Sequence, residues 1–311
     1  MKRHISIILG LWITLSLPVL AKTSSDYFGT EIDIYSLGYP ASSLSLAEAN
    51  TAAAKNPFAG LYNPAGLQKL DRQSIYSMQQ KMSQGVELFS VHWAGPLAEN
   101  LVANINYLQL QVSDIPIVPT DNITPTTDVQ ANSFSAYNSR GLSAALAWQA
   151  TDRLSLGLSA AGSYQNISNV SGGTGYGLSI SPGLQYQVSP LLNVGVLFRN
   201  ALSYQHWQTG FTDRIGQWVA IGADLSLSSI HLFGTIEKPL SVSGPDVFKL
   251  GAQYQLFDFL SLRTGYYGTH INAGIGLEID RFTLDYAYIG NGQNNTTLHG
   301  DSSRITVGLK L

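Results

Sequence analysis

Cysteine is absent from this 311-residue chain, and only 12% of its residues are charged. A soluble globular protein carries roughly twice that share of charge. Without thiols there is no disulfide framework and no thiolate metal site, and passage through an oxidising compartment brings no risk of mispairing. Lys and Arg never cluster and the net charge is −3, which excludes the electrostatic footprint of a nucleic-acid binder. His92, His206, His231, His270 and His299 are scattered, with neither metal-ligand spacing nor a triad-like arrangement. The sequence therefore offers no catalytic, metal or cofactor residues, and no enzyme is expected. After Ala21 there is also no run of about 18 apolar residues, so no helix is available to cross a bilayer.

What fills the gap left by charge is Gly, Ser, Asn, Gln, Thr and Tyr, and the mean hydropathy stays near zero. Such a mixture suits a chain facing two solvents, lipid on one side and a polar interior on the other.

Residues 1–21 read as a secretory signal. Met1-Lys2-Arg3 is the positive start, Ile5 to Leu17 the apolar stretch, and Val19-Leu20-Ala21 the small-residue site predicting cleavage after Ala21.

From residue 73 onward the period is two. Ile305, Val307, Leu309 and Leu311 alternate with Thr306, Gly308 and Lys310; Phe282, Leu284, Tyr286 and Tyr288 alternate with Thr283, Asp285 and Ala287. Successive strand residues point to opposite faces, so each segment has one apolar and one small or polar face. A soluble sandwich alternates too, but three features favour a membrane barrel. The segments run to about a dozen residues, the length of a tilted crossing. Their polar faces hold Gly and Ser rather than many charges. Their apolar faces end in aromatics, among them Trp93, Tyr107, Trp148, Tyr164, Tyr186, Phe198, Tyr254, Tyr266 and Tyr288, as an interfacial girdle requires.

Tight turns such as Thr151-Asp152-Arg153, Ser189-Pro190, Phe257-Asp258 and Asp280-Arg281 alternate with longer polar stretches, including Asn166 to Gly175, Asn200 to Arg214 and Lys238 to Asp246. Short turns at one end and long loops at the other are the polarity of a bacterial outer-membrane barrel. The count is about fourteen antiparallel strands, and Pro182 should mark a bulge or an unpaired position in the sixth. The expected architecture is all-β, a transmembrane barrel over residues 73–311.

Residues 22–72 do not alternate, and Ser45 to Ala54 reads as a short helix. About fourteen strands enclose a lumen too wide for wall side chains to fill. This stretch carries core-type residues (Leu44, Leu46, Phe58, Leu61, Tyr62, Leu67), so it is the candidate plug. Its string Ala47-Glu48-Ala49-Asn50-Thr51-Ala52-Ala53-Ala54, followed by Tyr62-Asn63-Pro64-Ala65-Gly66-Leu67, resembles the N-terminal hatch of the FadL long-chain fatty-acid transporter superfamily. Asn63-Pro64 and Gly66 would make a rigid turn fixing the hatch against the first strand. In size the chain is also similar to the PorV-like branch, barrels associated with type IX secretion.

With the apolar faces in lipid, the inward set is Glu87, Arg199, Asp224, His231, Glu237, Lys249, Arg263, Glu278, Asp285 and Lys310. Glu278, Asp285 and Lys310 could form a lumenal ion-pair network, although solvating the lumen or clamping the plug is the plainer role. The resemblance implies a channel in the bacterial outer membrane, surrounded by lipid, passing small hydrophobic molecules that are fatty-acid-like or hydrocarbons. Ligand would contact the hatch near Phe58, Leu61 and Tyr62. The alternative is a PorV-like barrel that docks a secreted protein partner and transports no solute.

Overall fold

A computed structural model describes residues 33–53, 56–81, 85–117, 133–241, 244–268, 270–290 and 302–311. The predicted signal segment 1–21 lies outside the described residues.

One antiparallel sheet closes on itself. Its strands are β1 (Ser74–Lys81), β2 (Val86–Ala98), β3 (Leu101–Ile117), β4 (Ser133–Thr151), β5 (Leu154–Ile167), β6 (Thr174–Gln187) and β7, which runs in two stretches, Leu192–Arg199 and Leu202–Trp207. They continue as β8 (Trp218–Leu227), β9 (Ile230–Pro239), β10 (Val247–Phe257), β11 (Leu260–Tyr267), β12 (His270–Ile279), β13 (Phe282–Ile289) and β14 (Ser302–Lys310). Each strand pairs with the next, and β14 pairs with β1, closing a fourteen-stranded barrel. Residues Thr212–Asp213 make a small hairpin with the end of β7, above the wall proper.

The alternation read from sequence is the alternation of the wall. Leu142, Leu146, Trp148, Leu158, Ile221, Leu250, Ile271, Phe282 and Ile305 are all exposed on the outside. Their inward neighbours are small or polar: Ser143, Ala145, Ala147, Ser159, Asp224, Lys249, Asn272 and Thr306 are buried. So continuous an apolar outer surface would be untenable in water, where exposed patches rarely exceed a few hundred Å². Hydrocarbon is its solvent, with Trp148, Tyr164, Tyr186, Tyr254, Tyr266 and Tyr288 as the outward aromatics.

Two expectations are corrected here. Glu87 does not face the lumen: it shares the outward side of β2 with Phe89 and Val91, at the loop end, where it sits opposite Lys81 and pairs with it at 3.0 Å. Ending a lipid-facing row, its carboxylate clears the apolar belt with a cation beside it. The stretch from Asn200 to Arg214 is not simply a loop, because β7 resumes at Leu202.

The break in β7 falls where Pro182 was expected to disturb β6. Pairing runs from Gln187 to Gly183 against Asn193 to Leu197, then resumes at Ile180 opposite Leu202. Pro182 has no N–H for a ladder bond, and β7 accommodates the gap with Asn200 at φ 53°. The Asn200 N–H donates to the Ser181 hydroxyl instead.

The described residues 33–53 and 56–70 form a plug in the lumen. Three one-turn helices, α1 (Ile34–Leu37), α2 (Ala41–Leu44) and α3 (Ala59–Tyr62), precede a 3-10 helix, Pro64–Lys69. The helix expected over Ser45 to Ala54 does not form in its described part, residues 45–53, where turns at 45–48 and 51–52 replace it and Ala47 and Glu48 adopt φ 51° and 61°. Two consecutive left-handed non-glycine residues cost roughly 1–2 kcal/mol each, so the surroundings must hold them there.

Candidate functional site

The hatch meets the wall in two different ways. Against β1–β5 it is glued by an apolar cluster: Ile34, Tyr35, Tyr39, Phe58, Tyr62 and Leu67 of the hatch pack with Tyr76, Met78, Leu88, Val102, Leu108 and Leu110 of the wall. A fully buried Phe or Leu contributes roughly 1.5–3 kcal/mol, so this side is a fixed dock. Phe58 belongs to it, its ring tilted against His92 at a centroid distance of 3.8 Å, and Leu61 packs beside it.

The Asn63-Pro64-Ala65-Gly66-Leu67 string lies in the same dock. Asn63 is fully buried; its side chain accepts from the Ala65 N–H and donates to Thr51 O (2.8 Å) and to Leu184 O on β6 (3.1 Å). Pro64 opens the 3-10 helix, where its missing N–H costs nothing. The motif thus fixes the hatch against β5 and β6, not against the first strand as expected, because glycines there let the backbones approach. A Cβ on Gly157 would lie 2.2 Å from the Ala65 nitrogen, and one on Gly183 would lie 2.3 Å from Asn63 Oδ1.

That arrangement continues around the lumen. Inward glycines on β7, β8, β10, β11 and β12 receive the hatch: Gly195 and Gly222 face Thr51, Gly251 and Gly265 face Leu46 and Ala47, and Gly274 faces Ser45. With Gly157 and Gly183 they form a belt of missing side chains, broken at β9, where Thr235 bonds Thr51, and this belt is the seat of the plug.

Along β8–β14 the hatch is held by polar contacts and by a small apolar cluster of Leu46, Ala49 and Phe233, and it leaves space on both sides. Ser42 to Asn50 forms a thin partition between two cavities. At the turn end lies one of about 490 Å³, reached by Ser43, Leu46, Asn50 and Tyr62 of the hatch. Its wall carries Glu278, Asp285 and Lys310, expected to form one network, together with the inward Arg263, and they make two separate pairs. Arg263 holds Asp285 at 2.5 Å and also donates to Gln253 at 2.8 Å, while Lys310 pairs with Glu278. Of the three hatch residues expected to touch ligand, Tyr62 reaches this cavity; Phe58 and Leu61 do not line it.

At the loop end the second cavity measures about 440 Å³. Its floor is an ionic network that sequence reading missed. Lys249 donates to Glu48 of the hatch at 2.7 Å and lies 3.0 Å from Glu237, which in turn is 3.6 Å from Arg199. Arg199 also donates to the Tyr39 hydroxyl and lies over its ring. Trp218, Ile215, Tyr267 and Ile289 form the apolar part of the lining.

Further wall groups clasp the hatch backbone. Arg304 donates to Leu37 O at 2.8 Å and to Tyr39 O, Asn272 donates to Leu44 O at 2.7 Å, and Thr306 accepts from the Ala41 N–H at 2.9 Å. Burial raises the Asp33 carboxyl above its ordinary value, against the smaller opposing effects of the Tyr35 N–H, Asn200 and Arg199. Burial likewise pushes the Tyr39 and Tyr62 phenols up.

A closed fourteen-stranded wall with a seated N-terminal hatch has counterparts among solved structures. The toluene transporter TbuX of Ralstonia pickettii superposes with a TM-score of 0.65 at 12% identity, covering 88% of this chain and 98% of that one. The toluene transporter TodX of Pseudomonas putida gives 0.61 at 12% identity, with the same coverages. A FadL homologue of Pseudomonas aeruginosa gives 0.55 at 11% identity, covering 86% and 96%. The fold is that of the FadL-like channels. No protein-family model and no curated protein sequence matches the chain. Within this FadL-like fold, the candidate site is the pair of cavities and the partition between them.

Proposed function

We propose that the chain is a member of the FadL-like superfamily, an outer-membrane channel that takes up small hydrophobic molecules and is gated by its hatch. The observation that carries this reading is the thinness of the barrier. Two cavities of several hundred Å³, the size of small-molecule sites, lie on opposite sides of Ser42 to Asn50, with Ala53, Asn56 and Tyr62 adding to the lining of the inner one and Asp33 and Ser36 to that of the other. The hatch's apolar dock on β1–β5 need not move; displacing the partition along β8–β12 would join the cavities into one path. The solved counterparts are transporters of toluene and a FadL homologue, which favours an apolar cargo. Tyr62 would contact it on the inner side, with Phe58 and Leu61 supporting Tyr62 from the dock. Arg263, Asp285, Glu278 and Lys310 would keep the inner vestibule hydrated for release. The alternative is docking of a secreted partner at the long loops, and residues 118–132 and 291–301 of the stretches concerned lie outside the described residues.

Gating is tested by tying the hatch to the wall at Thr51, the residue that follows the partition. The Thr51 and Thr235 hydroxyls are 3.2 Å apart, and the chain has no cysteine of its own. A Thr51→Cys/Thr235→Cys pair would bring two thiols within reach of oxidation to a disulfide. In proteoliposomes the oxidised form should lose toluene uptake and regain it on reduction. Uptake indifferent to the lock would sink the gated-channel reading.

A further inference from the structure

On the outer face of β3–β6 the apolar belt stops short of the long-loop end, which in barrels of this class faces the cell exterior. The last apolar outward residue is Tyr107 on β3, Leu142 on β4, Tyr164 on β5 and Tyr176 on β6. The next outward residues are Gln109, Arg140, Asn166 and Thr174. Arg140 is thus an exposed cation ending a lipid-facing row. Lys81 and Glu87, which end the corresponding rows of β1 and β2, neutralise each other at 3.0 Å. Arg140 has no ion pair or hydrogen bond among the described residues. A cation at the edge of hydrocarbon with no protein partner attracts an anion from the headgroup layer.

Its neighbours add the rest of a binding face. Arg140 stands directly across from Gln109 on one side and Tyr164 on the other, near enough for side chains to meet. The Tyr107 hydroxyl donates to Gln109 Oε1 at 3.1 Å, which leaves the Gln109 amide nitrogen to donate elsewhere. The Tyr164 and Tyr176 rings lie 5.3 Å apart, a two-ring surface beside the guanidinium. Below Tyr164, β5 presents only Gly162 and Ala160, with Leu142 and Leu178 opposite Gly162 on the two flanking strands. A Cβ on Gly162 would meet nothing nearer than 3.9 Å, so a shallow furrow runs down the wall from the two tyrosines.

We propose that this face binds a phosphorylated glycolipid of the outer leaflet. Its phosphate sits on Arg140 and Gln109, its sugar against Tyr164 and Tyr176, and one acyl chain along Gly162 and Ala160. The guanidinium offers a phosphate two parallel N–H bonds. Tyrosine gives a sugar an apolar face and a hydroxyl at its polar edge. The proposal rests on the outer-membrane location and is independent of gating.

Native mass spectrometry of the folded, delipidated barrel in detergent tests it, with bisphosphorylated lipid A, its dephosphorylated form and phosphatidylglycerol as probes. Lipid A should be retained, and loss of its phosphates should weaken it about tenfold. Arg140→Gln should weaken lipid A by a similar factor, and Tyr164→Leu should weaken it while keeping the face apolar. Lys238→Gln is the control, since Lys238 is exposed at the loop end of β9 but faces Val219 and no tyrosine pair. Heat-modified gel mobility like that of the parent verifies that each variant is folded. The proposal is overturned if retention ignores the phosphates, if Arg140→Gln binds lipid A as the parent does, if Lys238→Gln weakens it equally, or if phosphatidylglycerol binds as tightly. Lipid retention and flux through the disulfide lock are separate readouts, so this proposal and the gated channel fail independently.

Discussion

A methyl group on Gly265 would come within 2.2 Å of the Ala47 nitrogen. One inward glycine of β11 thus lets the hatch turn sit against the wall at the point where its backbone is left-handed. Gly265→Val should overfill the seat, at a cost of about 1–3 kcal/mol, and push the partition out while leaving the strands paired. Protease nicking of the hatch and basal conductance in planar bilayers should both rise. Gly234→Ala is the control, since its nearest neighbour would be Leu250 Cδ2 at 3.7 Å and nothing of the hatch lies there. Equal behaviour of the two variants would show that the glycine belt does not position the plug.

Arg304 grips the hatch from β14 through Leu37 O and Tyr39 O, while Gln80 accepts from its other nitrogens. Arg304→Met would leave two hatch carbonyls unpaired, each costing roughly 1–3 kcal/mol where buried. Amide exchange at Gly38 to Ser43 should accelerate, while exchange in β1 and β14 stays slow. Uniform acceleration across the barrel would instead make Arg304 a general stabiliser of the wall.

The buried Arg263–Asp285 pair sits in the inner vestibule with side chains 12% and 11% exposed. Breaking such a pair by one partner typically costs about 3–5 kcal/mol, far more than replacing both. Asp285→Asn should therefore lower the thermal midpoint in detergent, and Asp285→Asn/Arg263→Gln should recover most of the loss. If the single variant is as stable as the parent, the pair is only solvating the lumen.

The wall was legible because lipid imposes one local rule on it: every second residue must be apolar. That rule locates Leu284, Tyr286 and Tyr288 without knowledge of any neighbour. It misplaced Glu87 because a charge ending a lipid-facing row above the membrane obeys a different solvent. The lumen follows no local rule. Lys249 and Glu48 are 201 positions apart, and their meeting depends on where the hatch crosses. Inward glycines were visible as a polar-face habit, yet their alignment into a seat requires the register between strands. The Asn63–Leu67 string was readable by resemblance, but the surface it docks on, β5 and β6, is set by tertiary packing.

Asp33 gives the hatch a pH dependence whose sign follows from its burial. The residue caps α1 by accepting the Tyr35 N–H at 3.0 Å and takes a bond from Asn200 at 3.2 Å, with Arg199 the nearest charge acting on it. Desolvation outweighs these and raises its folded-state value above the ordinary 3.8 of the unfolded chain. The docked hatch therefore holds its proton more tightly than the released one does. Docking is strongest below the unfolded value and weakens as pH rises through the folded one. Hatch proteolysis should accordingly increase from acid toward neutral pH, with the barrel intact throughout. Asp33→Asn keeps the neutral shape and should flatten that rise. A profile that falls with pH in the parent, or persists unchanged in the variant, would assign the dependence to another group.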